Sequence, residues 1–188
     1  KPVSLLARVA APSIMLAANF VEELPKGIDE PAGEGIQECP YGIPNLRVEY
    51  ARADPGVQVW FWRSVGHSQN AFFLESFVDE MAAAAGKDPV VYRRELLAEQ
   101  PRLRGALDLA AEKAGWGNVL PSDVHRGVAV ASSFGSHVAQ VAEVSVSSAG
   151  QIRVHRIVAA VDCGRTVNPA IIRRQIEGAT VYGLSAAL

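Results

Sequence analysis

The chain has 188 residues, 49% of them hydrophobic and 20% charged, with a formal net charge of −2. That length and composition describe a globular protein with enough apolar material for a substantial core. The near-neutral charge gives no general electrostatic reason to expect nucleic acid as a partner, and the apolar runs are too short or too interrupted to span a bilayer. Two distant cysteines, Cys39 and Cys163, suggest neither a disulfide framework nor a zinc site.

Residues 2–20 read as one or two strands, with Val3, Leu5, Leu6, Val9, Ile14 and Leu16 as the apolar positions. From Pro25 to Pro44 the composition turns to proline, glycine and acid, which predicts a long loop of the kind that is often functional or covers a partner. Residues 46–51 and 57–62 read as two strands around the turn Asp54-Pro55-Gly56. A helix is expected over 69–85, with Phe72, Phe73, Phe77, Val78 and Met81 at helical spacing and Glu75, Asp79 and Glu80 around the polar side. Gly86 ends it. Asp88-Pro89 opens a second helix to about Leu97 by N-cap and first-turn proline. A third follows over 101–114, closed by Gly115-Trp116-Gly117.

The period then changes. Residues 127–134, 138–146 and 151–161 read as strands, the last two joined at Ser147-Ser148-Ala149-Gly150, and Asn168-Pro169 opens a final helix toward Leu188. Strand groups separated by a helical block indicate an α+β fold with mixed strands. The working division is 1–62 (strands and Pro/Gly loop), 63–117 (a junction and the helical block) and 118–188 (a β-hairpin lobe and the last helix). The chain opens at Lys1-Pro2 and closes on the apolar run Gly183-Leu184-Ser185-Ala186-Ala187-Leu188. Both ends read as cuts inside a longer protein.

The most informative stretch is Trp60-Phe61-Trp62-Arg63-Ser64-Val65-Gly66-His67-Ser68-Gln69-Asn70. A strand-to-helix junction gathers free N–H groups and the positive end of a helix dipole at one spot. Arg63 adds a forked cation suited to phosphate or oxyanion, and Gln69 can both donate and accept. Such a junction suits an anionic, oxygen-rich ligand. The competing reading is an aromatic core edge with Arg63 paired to Glu75 or Asp79.

The run from Phe61 to Glu80, continued by Ala85 to Leu97, resembles the signature of the large subunit of the isoquinoline 1-oxidoreductase type, within the xanthine dehydrogenase and aldehyde oxidoreductase superfamily. A second match is Ala160-Val161-Asp162-Cys163-Gly164-Arg165-Thr166-Val167-Asn168-Pro169, followed by Gln175-Ile176-Glu177-Gly178 and the closing Gly183-Leu184-Ser185-Ala186-Ala187-Leu188. The resemblance implies a molybdopterin-binding subunit. In bacteria such a subunit commonly holds molybdenum on the cytosine dinucleotide form, beside a small subunit with two [2Fe–2S] clusters. The implied reaction is hydroxylation of an N-heteroaromatic ring or an aldehyde with water as the oxygen source.

By that resemblance Arg63 is the arginine of the catalytic site near metal and pterin. Gly66, His67, Gln69, Gln175 and Gly178 are cofactor-binding, and no residue ligates the metal. Val65 stands where many superfamily members carry an aromatic residue, a departure that weakens any purine-like substrate. The Gly-x-Gly-Glu glutamate and the Gly-Gln-Gly motif are absent and are expected outside these residues, so the chain alone is expected to lack cofactor and activity. Glu143 is expected to be structural, and Asp162 a turn and cap residue. Apolar residues at 181–188, 59–62 and around Leu5 are expected to drive self-association. The alternative of a different class is a scaffold domain that keeps the fold without the chemistry.

Overall fold

The computed structural model describes all 188 residues. Its element order mixes two small sheets with six helices, an α+β architecture. The chain divides into two compact units, Lys1–Pro101 with Ala131–Ser133, and Arg102–Val130 with Phe134–Leu188.

In the first unit, β1 (Leu5–Ala11) lies parallel to β2 (Leu46–Arg52), in register from Leu5 opposite Leu46 to Ala11 opposite Arg52. A parallel pair requires a crossover, and the Pro/Gly stretch supplies it. The intervening residues hold α1 (Ile14–Ala17), a single 3-10 turn over Pro25–Gly27 and α2 (Glu30–Gly33). The stretch expected to be a plain loop is therefore a structured connection, burying Asp29, Ala32, Ile36 and Tyr41. The strand signal at the N-terminus stops at Ala11. Pro12 offers no N–H, and Ser13 caps α1 by accepting from the Leu16 amide at 3.1 Å.

The expected strand over 57–62 does not form. Gly56, at φ +77°, turns the chain after Asp54 as anticipated, but the residues that follow do not pair with β2, whose only partner is β1. Val59, Trp60 and Trp62 instead wall a cavity described below.

Gly86 (φ +62°) follows α3 (His67–Ala84), and Asp88 caps α4 (Pro89–Leu96) by accepting from the Val90 and Val91 amides. The bounds of α3 agree with the sequence pattern, and Val78 is buried as its spacing predicts, but the rest of the expected inner face is rotated. Phe72 (68% exposed), Phe73 and Phe77 point outward, while Glu75 is 5% exposed. The buried positions Asn70, Leu74, Glu75, Val78 and Ala82 form one helical stripe. Arg93 of α4 has no exposed surface, and it draws Glu75 inward. Its Nε donates to Glu75 Oε2 at 3.0 Å, one terminal nitrogen donates to Asp79, and the other donates to the Glu75 carbonyl at 3.0 Å. Tyr41 donates its hydroxyl to Glu75 Oε1 at 2.6 Å. Arg93 thus holds both acids that the competing sequence reading gave to Arg63.

In the second unit, α5 (Pro101–Ala114) buries Leu103, Ala106, Leu107, Ala110, Ala111 and Ala114 at helical spacing. Strands β3 (Val124–Ser133), β4 (Ser136–Val146) and β5 (Ile152–Asp162) form one sheet in that order. Phe134 and Gly135 both have positive φ, the backbone of a tight primed hairpin turn. Glu143 accepts from Arg126 at 2.9 Å and lies 3.7 Å from Arg156. The same two arginines donate to the carbonyls of Gly115, Lys113 and Ala114 at the C-terminal end of α5. Glu143 therefore holds two helix-capping cations in place. Helix α6 (Pro169–Ala187) starts at the Asn168 side-chain cap as expected, and none of its residues is fully buried. No helix is long and apolar enough to cross a membrane.

Candidate functional site

The Arg63 turn lies at the start of α3, where an extended segment meets a helix. Ser64 (φ +67°) and Val65 (φ +47°) both adopt left-handed backbone. That conformation is rare for any side chain and a real outlier for a β-branched one, so it persists only where neighbours fix it. Serine hydroxyls do part of this work. Ser64 and Ser68 both donate to the Arg63 carbonyl, at 2.5 and 2.9 Å, and the two hydroxyls lie 2.8 Å apart. The Val65 amide donates to the Trp62 carbonyl at 3.1 Å. The arginine side chain itself is exposed.

Gly66 is buried and begins the helix with its N–H donating to Glu34 Oε2 at 3.2 Å. A Cβ at this position would lie 1.9 Å from the Pro31 carbonyl oxygen, so only glycine fits. His67 is half-buried, its ring 3.0 Å from where a Gly35 Cβ would stand. Gln69 is exposed and shares with Asp29, Pro31, Trp60, Trp62 and Val65 the wall of a cavity of about 190 Å³. The structure thus brings Arg63, Gly66, His67 and Gln69 together on one turn.

Gln175 and Gly178 belong to the second unit, both exposed on α6. Their helix forms one side of a groove of about 760 Å³, whose lining includes Ile157 and Val161 of β5 and Ile172, Ile176, Glu177 and Val181 of α6. A Cβ at Gly178 or Gly183 would meet nothing within 4 Å. At the mouth of the groove, Asp162 takes two bonds from Arg102, at 2.9 and 2.7 Å, and one from the Gly164 amide at 2.9 Å. The Arg102 guanidinium and then the Gly164 amide hold its carboxyl well below the usual carboxylate range. Asp162 is therefore a turn and anchor residue, as its position at a strand end suggests.

Sequence reasoning passed over three residues of the junction. Asp29 is buried, accepting from the Ser13 hydroxyl and from the Met15 amide at 3.2 Å. Glu34 meets the first amide of α3. Asn70, with no exposed surface, donates to the carbonyls of Ala32 and Glu34 at 2.8 Å each. Asn70 stood inside the recognised motif, and nothing local announced its partners, which lie 36 and 38 residues away.

Comparison with known proteins adds a family. A molybdopterin cofactor-binding domain model matches residues 79–188. Gln175 and Gly178 lie inside that range, while the Arg63 turn precedes it. Among curated proteins, the beta subunit of isoquinoline 1-oxidoreductase from Brevundimonas diminuta is 33% identical over 153 residues, covering 79% of this chain and 20% of that protein. A nicotinate dehydrogenase subunit from Pseudomonas putida is 33% identical over 200 residues, covering 95% of this chain and 16% of that protein. A membrane-bound aldehyde dehydrogenase (pyrroloquinoline-quinone) from Gluconacetobacter polyoxogenes is 32% identical over 171 residues, covering 79% of this chain and 22% of that protein. The chain thus spans between 16% and 22% of the length of these relatives.

Proposed function

Since the chain belongs to the molybdopterin cofactor-binding domain family, we propose that it is part of the cofactor-holding subunit of a molybdenum-dependent hydroxylase. The proposed substrate is an N-heteroaromatic ring or an aldehyde, with water as the source of oxygen. The proposed cofactor is the cytosine dinucleotide form of molybdopterin, and the proposed partner is a small subunit with [2Fe–2S] clusters. The observation that carries this reading is the Arg63 turn, where an exposed guanidinium and the exposed Gln69 amide stand at the start of an 18-residue helix.

The residues present fit an oxygen-rich, anionic group. Arg63 offers a planar fork of donors, and Gln69 and Gln175 offer amides that donate and accept. The open space over Gly178 and Gly183 leaves bare helix backbone for a bulky ligand to approach. When bound, the molybdenum cofactor supplies the oxidative chemistry and the route for electrons. The role of the chain is position and electrostatics. Arg63, its backbone held by the serine bonds to its carbonyl, would offer a permanent positive charge to an anionic group held there. Trp60, Trp62 and Val65 give the cavity beside Gln69 apolar walls. Val65 offers no ring for substrate stacking, which argues against a purine-like substrate.

Elemental analysis and kinetics of the full-length protein test this. We expect molybdenum in the purified protein, with Arg63→Ala slowing turnover by more than about tenfold at equal loading. Arg63→Lys rescues poorly, because a point charge does not replace a fork. Protein without molybdenum after expression with an adequate cofactor supply would favour the scaffold alternative. Full turnover in Arg63→Ala would remove Arg63 from the site.

A further inference from the structure

Asn70 occupies an unusual place for an amide. It has no exposed surface, yet it lies one turn into α3, directly behind the Arg63 turn. Its Nδ2 donates to two carbonyls of the crossover, Ala32 and Glu34, at 2.8 Å each. Its own amide donates to the Gly66 carbonyl at 3.1 Å. Those contacts join two segments that also interlock sterically. The Gly66 Cα packs against the Pro31 carbonyl with no room for a Cβ, and Gly35 packs against His67. Glu34 closes the arrangement by taking the Gly66 amide.

The non-helical turn that leads into this helix carries Arg63. Ser68 donates to the Arg63 carbonyl, and Ser64 and Val65 hold left-handed backbone between the arginine and Gly66. Strained backbone of this kind survives only where the surroundings over-determine it. A buried amide with both donors committed to fixed carbonyls is a stiff anchor, because releasing it leaves two acceptors and two donors unsatisfied.

We infer that Asn70 is the positioning residue for Arg63: it locks the first turn of α3 to the Ala32 and Glu34 backbone, and so fixes where the strained turn presents the guanidinium. This rests on the placement of Arg63 in the cofactor site proposed above. Asn70, fully buried, acts through the turn rather than by contact with cofactor or substrate.

Two measurements on the full-length protein test it. Asn70→Asp keeps the size of the side chain, but it removes both donors and sets one carboxylate oxygen against two carbonyls. Amide hydrogen exchange at Gly66 should then accelerate by about tenfold or more, as expected for losing buried hydrogen bonds. Leu74→Ala, a buried apolar truncation on the same helix, should lower stability without opening that amide selectively. In loaded enzyme, Asn70→Asp should slow turnover in the wild-type background and have no further effect in the Arg63→Ala background, since the two act in series. If Asn70→Asp does not fold, Asn70→Ser, which keeps one donor, is read in the same way. Unchanged exchange at Gly66, or an equal loss of turnover in both backgrounds, would overturn the inference. Failure of the proposed function is visible separately, as wild-type turnover in Arg63→Ala alone, and the exchange measurement then still decides whether Asn70 holds the turn.

Discussion

Arg93 and Glu75 form an ion pair with almost no access to water: the guanidinium has no exposed side-chain surface, the carboxylate 7%, and they meet at 3.0 Å. Burial works against the arginine's charge, and Glu75, Tyr41 and Asp79 more than restore it, leaving the group ionised at any ordinary pH. Such a pair is a strict mutual requirement rather than a large net gain, because each ion has lost its hydration. Arg93→Met or Glu75→Leu alone should destabilise the first unit by about 3–5 kcal/mol, and the double variant should recover most of that loss. Denaturant titration of the four proteins checks it. Equal and additive losses would mean that the pair is not coupled.

Tyr41 should reveal the same cluster from outside. Burial first, and then the neighbouring Glu75 charge, push its hydroxyl well above the ordinary tyrosine value. The sign follows from the raised value. The contribution is intact below the ordinary tyrosine range near pH 10 and is lost as pH climbs toward the folded-state value. Ultraviolet titration should show one tyrosine ionising late or only with unfolding, and Tyr41→Phe should remove that late component.

Two glycines proposed to bind cofactor, one in each unit, make opposite predictions. Gly66→Ala would drive a Cβ into the Pro31 carbonyl, and it should cost about 1–3 kcal/mol or more, since backbone cannot yield as a side chain can. Gly178→Ala meets nothing within 4 Å and removes a mid-helix glycine. It should be neutral or raise stability by about 0.5–1 kcal/mol. Its effect should appear instead as lower molybdenum content in the full-length protein. Thermal melts and elemental analysis separate the two.

Asp162 should titrate far from its fellows. Its carboxyl is held low by Arg102 and the Gly164 amide, so the stability it contributes is present above the ordinary carboxylate range and disappears as pH falls below it. Carbon-detected NMR should place its midpoint well under the other aspartates, and Arg102→Met should move that midpoint most of the way back.

Apolar exposure predicts association. Val181 and Leu188 are 64% and 68% exposed and Trp60 is 64% exposed. At the N-terminal strand the exposed apolar residues are Val3 and Leu6, whereas Leu5, around which a sticky edge was expected, is buried. Light scattering of the 188-residue chain at micromolar concentration should show a species larger than a monomer. Replacing Val181 and Leu188 with glutamate should reduce it.

The helices were legible because their caps are local chemistry. Asp88-Pro89, Asn168-Pro169 and Gly86 act on amides and carbonyls within a few residues, and each stands where its pattern puts it. The meander of β3, β4 and β5 was legible for the same reason. What sequence could not supply were choices made between distant segments. The inward face of α3 was set by Arg93, 18 residues after Glu75, against a row of phenylalanines that by hydropathy alone belonged inside. The stretch 57–62 is not a strand but walls the small cavity beside the Arg63 turn, a tertiary role that its own alternation does not announce. At the candidate site, the Arg63 turn was visible as a motif, while the crossover that grips it came into view only in three dimensions.

The parallel pairing of β1 with β2 also bears on the order in which the protein assembles. Leu5 meets Leu46 only after 40 intervening residues have been drawn together, whereas β4 and β5 are joined by the five residues between Val146 and Ile152. Closing the longer loop carries the larger entropic penalty, and it returns nothing until the crossover is nearly complete. On a ribosome, β1 emerges before β2 and must wait for the whole crossover before that pairing can form. Through that interval its apolar residues are open to chaperones and to other nascent chains, so of the two sheets the parallel pair is the one whose assembly competes more with quality control.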